Sequence, residues 1–151
     1  PGVNFEFFKG IFGEQVLEGL MGFGAYNEKS SPELARFIDN FIGRFGLGSM
    51  DWWGGAFYYA ALECFGQAVE KAGSLDNTKV REIMATEHFD TILGDTWFDM
   101  AAGGEGGGQL AKECHPGQVG QWQNGTYEVI GPADKTTTNK VIYPKPAWPA
   151  P

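Results

Sequence analysis

Positive charge is scarce in this chain. Eleven Lys and Arg stand against nineteen Asp and Glu, a formal net charge of −8. Without a cationic stripe there are no counterions to displace from phosphates, so nucleic acid is excluded as a partner, and an anionic membrane surface is disfavoured by the same sign. Long apolar runs are missing too. The richest stretch, Trp52 to Ala68, is interrupted by Glu63 and Gln67 and predicts a buried helix, not a membrane span. Cysteine is limited to Cys64 and Cys114, with no CxxC pair and no His at ligand spacing, which argues against zinc. Two readings of these thiols stay open: a pair of buried cysteines, or one disulfide of an exported protein. No initiator Met and no signal peptide precede Pro1-Gly2-Val3, where an element starts at once. This predicts a piece of a longer polypeptide, or a processed product, whose missing targeting segment says nothing of compartment.

What is present is apolar and aromatic: 42% hydrophobic and 15% aromatic residues, enough for a real core and against disorder over most of the length. The clearest local signal is GQVGQWQNGTYEVIGP, Gly117 to Pro132. Polar and apolar residues alternate on both sides of Asn124-Gly125, a dipeptide suited to the positive φ values of a two-residue turn, and the stretch predicts a β-hairpin. Asn4 is a candidate N-cap for a helix over Phe5 to Val16, with Phe5, Phe8, Ile11 and Phe12 on one face. Glu18 to Tyr26, short and glycine-punctuated, predicts a strand. Ser31 with Pro32 and Glu33 starts a helix whose stripe is Leu34, Phe37, Ile38, Phe41 and Ile42, ending at Gly46.

A second long helix is expected from about Asp51 to Lys71, apolar nearly all round as far as Phe65 and therefore buried on more than one side. A shorter one is expected from Asn77 to about Thr86, capped by Asp76 or Asn77. His88 to Met100 fits one or two strands broken at Gly94, Ala101 to Gly108 a glycine-rich loop, and Pro132 to Pro151 an extended tail. The order predicts an α/β or α+β layering with helices on a sheet.

No constellation makes a convincing active site. Gly103 to Gly108 lacks the lysine and the strand-to-helix setting of a phosphate loop. Asp90, Asp95 and Asp99 are read as turn and strand-edge charges, and His88 and His115 lack a Ser or Cys partner in a nucleophile motif. No catalytic residue, metal site or cofactor is assigned. Binding chemistry is better represented. Trp52-Trp53 falls at the start of the long helix, where unpaired backbone N–H groups and a partial positive field suit a ligand carboxylate, and indoles supply flat walls. Gly54 lies beside them, Phe57 continues the stripe, and Tyr26 ends the glycine strand, where strands of open sheets point toward ligands.

The runs EGLMGFGAY (Glu18 to Tyr26), SPELARFIDNFIGRFG (Ser31 to Gly46) and YYAALECFGQAVEKAGSLD (Tyr58 to Asp76) resemble the C-terminal half of leucine/isoleucine/valine-type periplasmic solute-binding proteins, the type I family that feeds ABC importers. FDTILGDTWFD (Phe89 to Asp99) and VGQWQNGTYEVIGP (Val119 to Pro132) are similar in the same order. The resemblance implies an α/β type I lobe, helices on a central sheet, with the C-terminal hairpin and tail. It implies that residues 1–131 form a second lobe with closing strands, that 132–151 is an extended tail, and that the first lobe is absent from this chain. The implied activity is the capture, by hinge closure, of an amino acid, amide or aromatic acid in the periplasm or outside the cell. The implied partners are that ligand, a membrane permease, and the remaining lobe or another copy. Pro1 stands where amino-acid binders of the family carry an acid for the ammonium group, and a second family contact falls on Trp53 or Gly54. A ligand-sensing module of a signalling receptor is the alternative with the same fold.

Overall fold

A computed structural model describes residues 2–102, 107–115 and 117–149. The chain divides into two compact units, Pro1–Ala56 with Gly117–Pro151, and Phe57–Pro116. The tail is grouped with the first unit, and 57–116 forms a unit of its own.

The first unit is built on a three-stranded antiparallel sheet of order β1 (Met21–Phe23), β6 (Val119–Gln123), β7 (Thr126–Gly131). The β6–β7 hairpin is the one the alternation predicts. It turns on Asn124 at φ +50 and Gly125 at φ +76, the two left-handed residues that a two-residue loop needs to match strand twist. Inward residues Trp122, Tyr127 and Val129 are at most 1% exposed. They form one cluster with Leu17, Ile38, Met50 and Trp52, against which Phe37, Phe41 and Ile42 pack.

Those last three come from helix α3 (Pro32–Phe45), which follows its signals closely. The Ser31 hydroxyl accepts from Leu34 N–H at 3.1 Å, Pro32 occupies the first turn, and Gly46 closes the helix at φ +80 with its N–H on Ile42 C=O. The expected helix 5–16 is instead two short pieces, α1 (Phe7–Phe12) and α2 (Glu14–Leu17), parted by Gly13 at φ +81. Asn4 does not cap α1. Its side chain accepts from Gly2 N–H and donates to Asp51, tying the chain start to the segment before the long helix. Beyond β7 the tail is held by side chains. Gln121 Nε2 donates to Ile142 C=O at 3.0 Å and Gln123 Nε2 to Lys140 C=O at 2.9 Å, while Ile142 N–H returns a bond to Gln121 Oε1.

The long helix, α4 (Gly54–Ala72), starts three residues later than expected; Asp51 holds the turn before it by accepting from Trp53 N–H. In the second unit α4 is followed by α5 (Asn77–Thr86), where Asp76 accepts from Thr78 and Lys79 N–H as predicted. The two expected strands are β2 (Phe89–Thr91) and β3 (Gly94–Thr96), an antiparallel pair turning before Gly94; β4 (Phe98–Asp99) pairs with β5 (Gln109–Leu110). The glycine cluster at residues 103–106 lies outside the described residues.

Burial of α4 all round is not found. One face, Ala60, Cys64 and Ala68, is at most 4% exposed, and Cys64 and Ala68 pack with Val80 and Phe89. Tyr58, Leu62 and Phe65 are 77%, 68% and 49% exposed. The sequence is apolar on both faces, but only the face of small residues lets α5 and β2 approach closely.

Candidate ligand-binding site

Adjacent tryptophans cannot share one environment at the end of an extended segment, because successive side chains diverge. Trp52 turns inward. It is 7% exposed, and its indole N–H donates to Glu6 Oε2 at 2.9 Å. Glu6 is itself only 4% exposed, and it is ion-paired with Lys9. A buried carboxylate is costly unless paired and bonded, and here both conditions are met. Lys9 also donates to Gly125 C=O at 3.0 Å and lies over the Trp122 ring, so the Trp52 anchor is wired to the hairpin turn.

Trp53 turns the other way and is half-buried. Its indole lies on Gly24: a Cβ added there would fall 2.1 Å from Trp53 Cγ, and Gly24 sits at φ +71, a conformation side-chain-bearing residues rarely adopt. Both constraints demand glycine. Tyr26, two residues on, is 8% exposed and donates its N–H to Trp52 C=O at 2.6 Å. Gly54, buried, is the first residue of α4, whose first-turn amides have no acceptor inside the helix. Trp53, Gly24, Tyr26 and Gly54 are thus brought together in the first unit, with Trp52 as the buried brace behind them. Phe57 belongs to the second unit, half-buried, its ring edge-on to the His115 imidazole at 6.1 Å. Pro1 lies outside the described residues.

The disulfide reading is not what the structure has. Cys64 and Cys114 are both free, Cys64 buried and Cys114 half-buried. Burial pushes the Cys64 thiol up to about 11, with the charges of Glu63 and Cys114 adding to the effect. Cys114 Sγ donates instead to Ala111 C=O at 3.1 Å. Among the described residues no group of three or more His, Cys, Asp and Glu could hold a metal ion. His88 bonds Asp95 at 2.9 Å and stacks on Trp97; His115 Nε2 lies 3.0 Å from Thr96 Oγ1.

Two grooves lie elsewhere. One of about 450 Å³ in the first unit runs along β1, lined by Val3, Asn4, Met21, Gly22, Phe23 and Val119. One of about 480 Å³ in the second unit is lined by Phe65, Leu75, Val80, Met84, Phe98 and Met100, among others. Neither is lined by Trp53 or Tyr26.

The sequence reading passed over Gly24 and Glu6. Gly24 carried a signal, since a glycine inside a strand pattern marks a close approach. Glu6 carried none: nothing in a short polar position of a helix announces that an indole N–H forty-six residues away will bond it.

No protein-family model matches the chain. Among solved structures it is similar to a leucine-binding protein, LivK, from Thermotoga maritima, at 24% identity and a TM-score of 0.54. The likeness covers 79% of this chain and 32% of that one, so the matched part spans about a third of LivK. With its mixed helix and sheet, the chain has the α/β fold of a type I periplasmic binding protein.

Proposed function

We propose that this chain is part of the solute-binding component of an ABC importer, an extracytoplasmic receptor that takes up a small molecule and catalyses nothing. Support comes from the fold shared with a leucine-binding protein and from the divided tryptophan pair. Trp52 is spent on the core, whereas Trp53 is held half-buried on a glycine that admits no side chain, beside the start of a nineteen-residue helix. An indole fixed in that way needs no ordering when a flat apolar guest arrives, and the helix start favours a carboxylate. Tyr26 and Gly54 complete the contact in this reading, with Trp52 bracing the wall from behind.

The ligand is an amino acid, an amide or an aromatic acid. Ligand contacts stabilise a closed arrangement of two lobes over an open one, and the closed form docks on a membrane permease. The first lobe belongs to polypeptide outside these residues. The single observation that carries the reading is the Trp53–Gly24 seat.

Its test is Trp53→Ala in the natural polypeptide that carries this sequence. Calorimetry would be run against leucine, valine, aliphatic amides and aromatic acids. Affinity for whichever ligand binds is expected to fall about tenfold or more. An unchanged affinity would remove Trp53 from the site.

A further inference from the structure

Tyr26 is followed by Asn27, which is fully buried. The turn that begins there closes on itself. Asn27 N–H donates to Ser30 Oγ at 3.1 Å, Ser30 N–H to Asn27 C=O at 2.9 Å, and Lys29 N–H to Asn27 Oδ1 at 3.0 Å. The Asn27 amide nitrogen then joins this turn to β7 and to the tail. Nδ2 has two hydrogens, and three acceptors stand around it: Tyr127 C=O at 3.1 Å, Glu128 Oε2 at 3.3 Å and, 110 residues along the chain, Thr137 Oγ1 at 3.1 Å. The Thr137 hydroxyl is fully committed. It donates to Glu128 Oε2 at 2.6 Å and accepts from Val129 N–H at 2.8 Å as well as from Asn27. Glu128, 8% exposed, is also ion-paired with Lys29, so its carboxylate is neutralised from the turn and bonded from the tail. A buried polar network is rigid when its members are satisfied and costly when one is left short.

We propose that the tail is a positioning clip for the ligand wall: Thr137 holds Asn27, and Asn27 holds Tyr26 against the Trp52-Trp53 segment. Tyr26 is fixed from both sides, its own N–H on Trp52 C=O at 2.6 Å and its successor on the tail. Thr137 touches no ligand; it is a positioning residue that acts through Asn27. The hairpin does not depend on this hydroxyl, since β6 and β7 pair from Val119↔Gly131 to Gln123↔Thr126. Nor does the course of the tail. Thr137 N–H donates to Val129 C=O at 2.9 Å, and Gln121 and Gln123 hold Ile142 and Lys140 farther on. Loss of the hydroxyl therefore falls on the turn at 27–30, which has no strand partner among the described residues. The clip rests on the receptor reading only for what Tyr26 contributes to binding.

The test is Thr137→Val in the natural polypeptide that carries this sequence, a change that keeps the branched shape and strips the hydroxyl. Amide exchange at Tyr26, Lys29 and Ser30 should quicken about tenfold or more, while the amides of α3 and β6 keep their protection. Thr137→Ser, which restores the hydroxyl, should bring all three back to within about threefold of the original rates. Acceleration confined to Val129, or spread evenly through β6 and α3, overturns the proposal. Binding is the second readout, by calorimetry well below the melting temperature, with leucine, valine, acetamide and benzoate as probes. Thr137→Val should weaken whichever of these binds by about threefold or more, and Thr137→Ser should not. A lowered melting temperature beside an unchanged affinity would leave Thr137 a merely structural role and overturn the clip. If none of the four binds the unaltered polypeptide, the receptor reading fails, and the Tyr26 amide still decides the clip.

Discussion

The two units solve the burial problem with different side chains. The first closes around large ones: Trp52, Trp122, Tyr127 and Met50 are all at most 7% exposed, with buried bonds from the Trp52 indole to Glu6 and from Asn27 to Tyr127 C=O. The second closes around small ones, Ala60, Cys64, Ala68 and Val80, with Phe89 as the one large, fully buried side chain among its described residues. The big apolar residues of its long helix, Tyr58, Leu62 and Phe65, are at the surface. Aromatic residues can bury about 150–250 Å² each at about 25 cal/mol per Å², so the first unit draws more transfer free energy per core position. The lesson is that aromatic content does not locate a core. The aromatics at 52, 122 and 127 are inside because a sheet and α3 enclose them. Those at 58 and 59 are outside because the close approach of α5 and β2 selects the opposite, small-residue face.

The sharpest way to break this contrast is Trp122→Ala. It removes the largest fully buried side chain and its indole bond to Val3 C=O, and should cost about 3–5 kcal/mol. Exchange should accelerate throughout β6 and β7 while the amides of α5 keep their protection. Equal acceleration across 57–116 would show the units to be one cooperative body, and the contrast would fall.

A smaller effect is expected from Trp52→Phe, which keeps an aromatic ring in the core but strips the N–H that Glu6 accepts. Leaving that carboxylate short of a donor should cost about 1–3 kcal/mol in chemical denaturation. A loss much below this range would mean that the Lys9 ion pair alone satisfies Glu6. Paired with Trp53→Ala, this substitution separates the two indoles: stability should answer mainly to Trp52, ligand affinity mainly to Trp53.

The gentlest probe belongs to the second unit. The Cys64 thiol is raised from an ordinary 9.0 to about 11 by burial. Between those values the unfolded chain gives up the proton that the folded chain keeps. The folded state therefore binds more protons, and stability, fully present below pH 9, falls as pH rises toward 11. Cys64→Ala should lose this slope, read from urea midpoints at pH 8.5 and 10.5. A slope that survives the substitution would trace to other groups.

Much of the fold could be read from residues alone, and the reason is local. Ser31-Pro32, Asp76 and Asn124-Gly125 each satisfy backbone groups within three or four residues, so α3, α5 and the hairpin appear where their caps and turn say. The single helix over 5–16 failed for a local reason as well, one glycine at φ +81 that splits it. The candidate site was half legible. That Trp53 would be a wall of the cleft and Trp52 a neighbour or hinge-side support is a sequence expectation; that Trp52 is held by Glu6 and Trp53 lies on Gly24 comes from the structure.

By itself, then, the sequence determined the caps, the turn, the apolar stripe of α3 and an acidic surface, because each depends on neighbours a few residues away. Tertiary structure alone decided which face of α4 is buried, which partner holds each indole and that both thiols are free. Each of these depends on groups far apart in the chain, forty-six residues for Trp52 and Glu6, and no local propensity encodes which of them will meet.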